Sequence, residues 1–230
     1  VVGAGAAGVP AAVAAASSGC RVLLIEAGPA LGGELVSGLP IDGCLNAQGE
    51  WIVGGVAKTL FEHAAQMGGF VQPVFDWRLI WGVCVDPVVL KVALASMVAE
   101  SGVDLMLYSL VEDVITDGNT VSAVVVANKA GRKVISAKYF VDCSGDGDVA
   151  VQAGAAHEKG GPKGVFQPLT LVFRMSNVDY SSYVRFVAEN PEEFILGGSP
   201  VIADKTKSEC ATGVQESGYP FAGLSAEGSL

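Results

Sequence analysis

Val1-Val2-Gly3-Ala4-Gly5-Ala6-Ala7-Gly8 opens the chain, and an apolar run from Val22 to Ile25 is followed directly by Glu26. These stretches predict a strand, a glycine turn, a helix, a second strand and an acid, in that order. Glu26 follows Gly8 by eighteen residues, close to the spacing of about 20 that is typical of a dinucleotide-binding unit. The combination of these features indicates dinucleotide binding more specifically than a glycine triplet alone. The alternative, in which the glycines serve only packing, stays open.

Each glycine of the turn has its own predicted task. Gly3 permits the tight turn, Gly5 lets the backbone approach a pyrophosphate, and Gly8 lets the helix lie close to the sheet. Two linked phosphates would then lie at a helix N-terminus, where free N–H groups and the helix dipole favour negative charge. The Glu26 carboxylate can accept hydrogen bonds from both hydroxyls of an adenosine ribose. It would repel a 2′-phosphate, so the pattern favours FAD or NAD.

Length and composition limit the class of protein. The chain has 230 residues, half of them hydrophobic, which is enough for one large or two smaller domains with a sizeable core. Glycine, at 30 residues, is nearly twice as frequent as its average of about 7%, and the excess lies where a backbone could approach a ligand. The formal net charge of −10 argues against a nucleic acid or an anionic membrane surface as partner.

Cysteine usage predicts a reducing compartment. The five cysteines are scattered without a CxxC pair, which is typical of a cytoplasmic protein and predicts neither a disulfide framework nor a metal or iron–sulfur site. No apolar stretch is long enough to span a bilayer, and no signal peptide is recognisable. The chain begins inside its first predicted strand, and its tail after Gly218 carries no closing element. We interpret it as the N-terminal part of a longer protein.

The periodicity of apolar residues, and the Gly and Pro residues that end helices and strands, predict an α/β pattern with an antiparallel insertion. A glycine-rich segment from Gly160 to Gly164 is typical of a domain boundary or hinge. The helices are predicted at Ala7–Ser18, at Val56–Met67, from an Asp86 N-cap to just before Gly102, at Val149–Ala153 and within Val178–Glu193, where Pro191 breaks it. The strands are predicted at Arg21–Ile25, Asp104–Leu107, Val111–Thr116, Val121–Ala127, Lys133–Ala137, Tyr139–Asp142 and, as an extended segment, Leu169–Met175.

Beyond these patterns, the chain resembles the FAD-dependent oxidoreductases of the glutathione-reductase-like superfamily, and it is similar to the flavin-binding part of the heterodisulfide reductase flavoprotein. The resemblance runs from Val1 to about Val178. It implies an α/β fold: a Rossmann-like FAD-binding domain over residues 1–160, with an inserted antiparallel β-meander, and the start of a substrate or cap domain over residues 161–230. The motifs that carry it are Gly3-Ala4-Gly5-Ala6-Ala7-Gly8, Leu24-Ile25-Glu26, Leu31-Gly32-Gly33, Gly54-Gly55 and Val141-Asp142-Cys143-Ser144-Gly145-Asp146-Gly147-Asp148.

The resemblance also implies which residues bind FAD. Ser144-Gly145-Asp146 would be a second close backbone approach, with an N-cap and tight turn as the alternative. No His occurs in Glu34 to Gly38, where covalently flavinylated relatives carry one, so non-covalent FAD is implied. The remaining implied contacts are Gly3, Gly5, Ala6, Ala7 and Gly8 at the pyrophosphate, Glu26 and Ala27 at the ribose, Gly32 and Gly33 beside the cofactor, and the Val111 backbone at the adenine.

The implied reaction is oxidation or reduction of a small molecule, with an electron donor or acceptor as second partner. No catalytic residue is identified. His63 and His157 favour surface or hinge roles, Cys44 and Cys143 are not spaced as a local dithiol, and Arg174 more often faces solvent than an anionic substrate.

Three alternatives remain. One is an electron-transfer flavoprotein with iron–sulfur partners, and another is a non-catalytic FAD-binding module or fragment. The third is an NAD-only dehydrogenase, against which the meander and Ser144-Gly145-Asp146 argue. A homo-oligomer is also open.

Overall fold

A computed structural model describes residues 1–76, 80–166, 171–173 and 175–190. Contacts divide the chain into two units, residues 1–36 with 90–170 and residues 37–89 with 171–230. The helices are α1 (Gly8–Ser17), α2 (Gly55–Gln66), α3 (Pro87–Glu100), α4 (Asp148–Gln152) and α5 (Tyr180–Glu189). The strands are β1 (Leu23–Ile25), β2 (Ile41–Asp42), β3 (Phe70–Asp76), β4 (Ile80–Val85), β5 (Asp104–Met106), β6 (Leu110–Asp117), β7 (Thr120–Asn128) and β8 (Gly131–Ser136). Short 3-10 helices cover Gly33–Val36 and Pro162–Gly164.

A small parallel sheet lies at the centre of the first unit. Strand β1 pairs in parallel with β5, and Val2 forms parallel bridges to Ile25 on one side and Asp142 on the other. The predicted strand over Tyr139–Asp142 is present only as this bridge between Val2 and Asp142. The chain from Val2 through α1 to β1 is therefore the predicted strand–helix–strand unit, with Gly3 at the carboxyl edge of the sheet.

Glycine ends three helices by the same mechanism. After α1, the N–H of Gly19 donates to the Ala16 carbonyl (2.9 Å) and that of Cys20 donates to the Ala15 carbonyl (3.1 Å). Gly19 has a φ of +85°, so this is a Schellman closure that a side chain would strain. The same pair of bonds closes α2 at Gly68-Gly69 and α4 at Gly154-Ala155. The predicted helix ends are confirmed.

The predicted N-cap of α3 is also confirmed. Asp86 Oδ1 accepts hydrogen bonds from the N–H groups of Val88 (2.7 Å) and Val89 (3.2 Å). Pro87 occupies the first helical position, where its missing N–H has no partner to lose. The buried stripe of α3 consists of Leu90, Ala93, Leu94, Met97 and Val98.

The inserted meander is present as β6, β7 and β8, which pair antiparallel in that order. Val124 and Val126 of β7 form a buried cluster with Ile25 of β1. The meander thus covers one face of the parallel sheet, and its turn at Gly118-Asn119 lies where the sequence predicts it.

The second unit contains a hairpin that the sequence analysis does not assign. Strands β2, β4 and β3 form an antiparallel sheet in that order, and Val83 of β4 packs with Cys44, Leu45 and Phe61. Pro73 interrupts the run of strand-forming residues in the sequence of β3. A proline is tolerated there because β3 is an edge strand, where one side of the backbone needs no ladder partner.

The predicted division at residue 160 stays a prediction, since most of residues 161–230 lie outside the described ranges. Helix α5 is present within the predicted 178–193 segment. The described part of Leu169–Met175 forms no strand. Pro191 and Arg174 lie outside the described residues.

Candidate functional site

Two of the three turn glycines are required by the packing of the chain itself. Gly3 has a φ of +87°, and a Cβ built on it would overlap the carbonyl oxygen of Cys143. A Cβ on Gly8 would overlap the carbonyl oxygen of Gly3. The backbone of the turn is therefore pressed between the start of α1 and the segment after Val141. This agrees with the predicted tasks of a tight turn and a close helix.

Gly5 is different, because no described residue fills the space beside it. Among the described residues, a Cβ built there would meet only the Cα of Gly33, at 3.9 Å, which is an ordinary contact distance. Gly5 also has no positive φ. Neither steric overlap nor backbone strain therefore explains a glycine at this position, whereas a ligand that needs the backbone uncovered does.

Unused hydrogen-bond donors lie at the same place. The N–H groups of Gly5, Ala6 and Ala7 donate to no acceptor among the described residues. No side chain caps the N-terminus of α1, and its first turn contains no acidic residue. The first N–H groups of a helix need partners from outside the helix, and an anion satisfies them. The residues present fit the diphosphate of a dinucleotide.

The second glycine pair lies against the first turn. The N–H of Gly32 donates to the Ala4 carbonyl at 2.8 Å. A Cβ on Gly33 would come within 3.1 Å of the Gly5 Cα, so the two backbones pass each other closely. The fold thus brings together two segments that the resemblance assigned to one cofactor. Whether Gly32 and Gly33 touch the cofactor stays a prediction.

Glu26 is aimed at the turn. Its Oε2 accepts a hydrogen bond from the Ala4 N–H at 2.7 Å, and its Oε1 accepts one from the Gly28 N–H at 2.7 Å. The carboxylate therefore links the end of β1 to the glycine turn while remaining partly exposed. A carboxylate has about four lone-pair sites, so each oxygen keeps capacity for one sugar hydroxyl. Ala27, beside it, is exposed.

A carboxylate network that the sequence analysis missed organises the segment after Val141. Asp142 Oδ1 accepts from the Ser144 N–H (3.0 Å) and the Ser144 hydroxyl (2.7 Å), and Oδ2 accepts from the Ala150 N–H (2.8 Å). Ser144 Oγ in turn accepts from the Asp148 N–H at 2.8 Å. Partial burial opposes ionisation, but the bonds from Ser144, Ala150 and Val149 outweigh it and hold the pKa of Asp142 below its usual value. An acid at a strand end, followed two residues later by Ser, was the available signal.

This network affects the predicted cofactor contacts of Ser144, Gly145 and Asp146. The Ser144 side chain is occupied by the turn and by the start of α4, as the N-cap alternative expects. The N–H groups of Gly145 and Asp146 donate to no described acceptor, and a Cβ on Gly145 would meet no atom of the described residues within 4 Å. The segment adjoins the first turn, because the Cys143 N–H donates to the Val2 carbonyl at 2.8 Å. A backbone approach to the cofactor stays a prediction.

The remaining candidates lie apart from this network. The Val111 side chain packs against the buried cluster of Ile25, Val124 and Val126, and its predicted backbone contact with adenine stays a prediction. His157 is exposed, and its Nδ1 lies 3.2 Å from the Ala155 carbonyl. His63 lies in the last turn of α2.

The described cysteines form no disulfide with one another. Burial, followed by the charge of Asp42, raises the pKa of Cys44. Burial raises the pKa of Cys143, and the charge of Asp142 raises it further. A raised pKa disfavours the reactive thiolate. Across the described ranges, no group of three or more His, Cys, Asp or Glu side chains could hold a metal ion.

Comparison with known proteins identifies the family. A model of the family described as "FAD dependent oxidoreductase" matches residues 1–221. The chain belongs to this family. FAD is therefore its cofactor, as the sequence predicts. No curated protein sequence matches the chain significantly.

Several solved structures are similar in part. The THI4 protein of Thermovibrio ammonificans is 20% identical with a TM-score of 0.46, over 66% of this chain and 58% of that one. A flavoprotein/dehydrogenase from Cytophaga hutchinsonii is 21% identical with a TM-score of 0.49, over 70% of this chain and 42% of that one. The chain thus spans less than two thirds of the length of either protein. Among the described residues, no helix has both the length and the apolar character that a membrane crossing requires.

Proposed function

We propose that this chain holds FAD non-covalently at the glycine turn, and that the whole protein oxidises or reduces a small molecule. One observation carries the proposal. Gly5 and the N–H groups from Gly5 to Ala7 are left without a partner by the described part of the fold, directly beside a carboxylate that is aimed at the same turn.

The roles of the residues follow from their geometry. The α1 N-terminus would bind the pyrophosphate through its unused N–H groups and its dipole. Glu26 would accept the ribose hydroxyls and, through Ala4, hold the turn in its binding conformation. Gly33 and Ser144-Gly145-Asp146 would flank the cofactor with backbone alone. When bound, FAD supplies the hydride or electron transfer, while these residues supply position and charge.

Substrate and redox partner are proposed only by class. We propose a small organic molecule and a separate electron donor or acceptor. The described cysteines are thiols, which supports a reducing compartment, so we also propose a cytoplasmic protein. An iron–sulfur partner would call for cysteine ligands, and the described thiols are not grouped as ligands.

Reconstitution tests the proposal. The purified chain is expected to bind added FAD with a change in flavin fluorescence. The bound flavin should bleach with dithionite, reoxidise in air, and be released entirely when the protein is denatured. Flavin that stays with the denatured polypeptide would contradict non-covalent binding, and the absence of any FAD binding would refute the site.

A matched pair of variants tests the role of Glu26. Glu26→Ala removes a charged acceptor, a loss of about 1–3 kcal/mol, so FAD affinity should fall by about 5-fold to 150-fold. Glu100→Ala is the control, because Glu100 ends α3 at the surface and interacts with Ser96. Equal FAD affinity in both variants would remove Glu26 from the site.

A further inference from the structure

The surface beside Glu26 carries an aromatic side chain that the glycine turn and its acid do not explain. Beyond the ends of β1 and β5, the segments that follow the two strands continue to pair. The Tyr108 N–H donates to the Gly28 carbonyl (3.1 Å), and the Ser109 N–H donates to the Glu26 carbonyl (2.9 Å). Tyr108 therefore lies at the carboxyl edge of the parallel sheet, next to the acid. Ligands of open α/β sheets bind at this edge.

The backbone of Tyr108 is strained. Its φ is +51°, and among the described residues only Lys163 and Asn177 share a positive φ without being glycine. For a bulky aromatic residue this conformation is an outlier, and such strained residues cluster at ligand sites. Glycine or asparagine would adopt the same turn at lower cost, so the tyrosine is not there to make the turn.

The neighbouring residue shows how the conformation is held. Ser109 is 1% exposed. Its hydroxyl donates to the Leu107 carbonyl at 2.9 Å and accepts from Asn128 Nδ2 at 3.2 Å. With Ser109 locked inward, the preceding side chain is turned outward, and Tyr108 is 66% exposed. The protein thus holds an aromatic ring in water beside the proposed ribose acid.

We propose that the Tyr108 ring stacks on the adenine of the bound cofactor. The inference rests on the proposed function, because it needs the adenosine ribose on Glu26. The base is attached to that sugar, so it reaches the surface next to the acid, and an exposed aromatic ring offers it a flat apolar partner. Stacking of a base on an aromatic side chain contributes about 1–3 kcal/mol by alanine substitution.

Fluorescence titration with FAD, and with ADP as competitor, tests the proposal. Tyr108→Ala should weaken the binding of FAD and of ADP by about 5-fold to 150-fold. Tyr108→Phe keeps the ring and should bind both like the natural protein. Tyr139→Ala is the control, since Tyr139 is 87% exposed and lies before Asp142, towards the opposite edge of the sheet. It should leave both affinities unchanged.

A second variant separates binding from folding. Tyr108→Gly relieves the positive φ, so the apo protein should be at least as stable to urea as the natural one while its FAD affinity falls as in Tyr108→Ala. If the natural protein binds FAD and Tyr108→Ala binds it equally well, the stacking role is refuted and the glycine-turn site stands. If the natural protein binds neither FAD nor ADP, the proposed function itself fails, and the stacking role fails with it.

Discussion

Replacing Gly5 by alanine separates a glycine kept for a ligand from a glycine kept for packing. In the described part of the chain, the new methyl group would meet only the Gly33 Cα, at 3.9 Å, and the backbone needs no positive φ there. Folding therefore loses nothing, and the unfolded chain loses conformational freedom. The free energy of unfolding of the apo protein should rise by about 0.4–1 kcal/mol.

Binding should respond in the opposite direction. The methyl group would lie where the diphosphate approaches the N–H groups of Gly5 to Ala7. Displacing one charged hydrogen bond costs about 1.5–3 kcal/mol, so FAD affinity should fall by about 10-fold to 150-fold. Gly8→Ala is the matched comparison, because its Cβ would overlap the Gly3 carbonyl oxygen. That variant should lose about 1–3 kcal/mol of stability or more before any ligand is added.

Two measurements on each variant decide the matter. Urea unfolding without FAD gives the stability, and quenching of flavin fluorescence on titration gives the affinity. The reasoning is refuted if Gly5→Ala is destabilised as much as Gly8→Ala, since Gly5 would then be a packing glycine. It is equally refuted if Gly5→Ala binds FAD as tightly as the natural protein.

Two further predictions concern titratable groups. Asp142→Asn replaces one acceptor oxygen of the Asp142 network by an N–H donor, so the variant should lose about 1–3 kcal/mol of stability at neutral pH. The folded state lowers the pKa of Asp142 from 3.8, so the carboxylate stabilises the fold above that pH, and this stabilisation is lost as the pH falls further. The free energy of unfolding in urea should therefore differ less between the natural protein and Asp142→Asn at pH 3 than at pH 7. An equal difference at both pH values would contradict the role of the Asp142 carboxylate. Burial, followed by the charge of Tyr180, raises the pKa of Tyr183 to about 12 from 10.0. Its protonated form is therefore favoured by folding, and the resulting stabilisation should be complete below pH 10 and fall between pH 10 and 12. Between these two pH values, the free energy of unfolding should fall less for Tyr183→Phe than for the natural protein. An identical fall in both proteins would contradict the raised pKa of Tyr183.

Local patterns predicted several features of the fold. The glycine stops of α1 and α2, the Asp86 cap and the Gly118 turn depend on contacts within a few residues, so sequence spacing suffices to find them. The hairpin β3–β4 was not predicted, because Pro73 is acceptable only on an edge strand, and edge position is a property of the assembled sheet.

By itself, the sequence determined the order of strand, glycine turn, helix, strand and acid, and with it the FAD dependent oxidoreductase family and its cofactor. Those features depend on residue type and short spacing. Only the tertiary structure separated Gly5 from Gly3 and Gly8, brought Gly33 against the turn and turned Tyr108 towards solvent beside Glu26. These are relations between residues far apart in the chain, and they are decided by packing and hydrogen bonding once the sheet has formed.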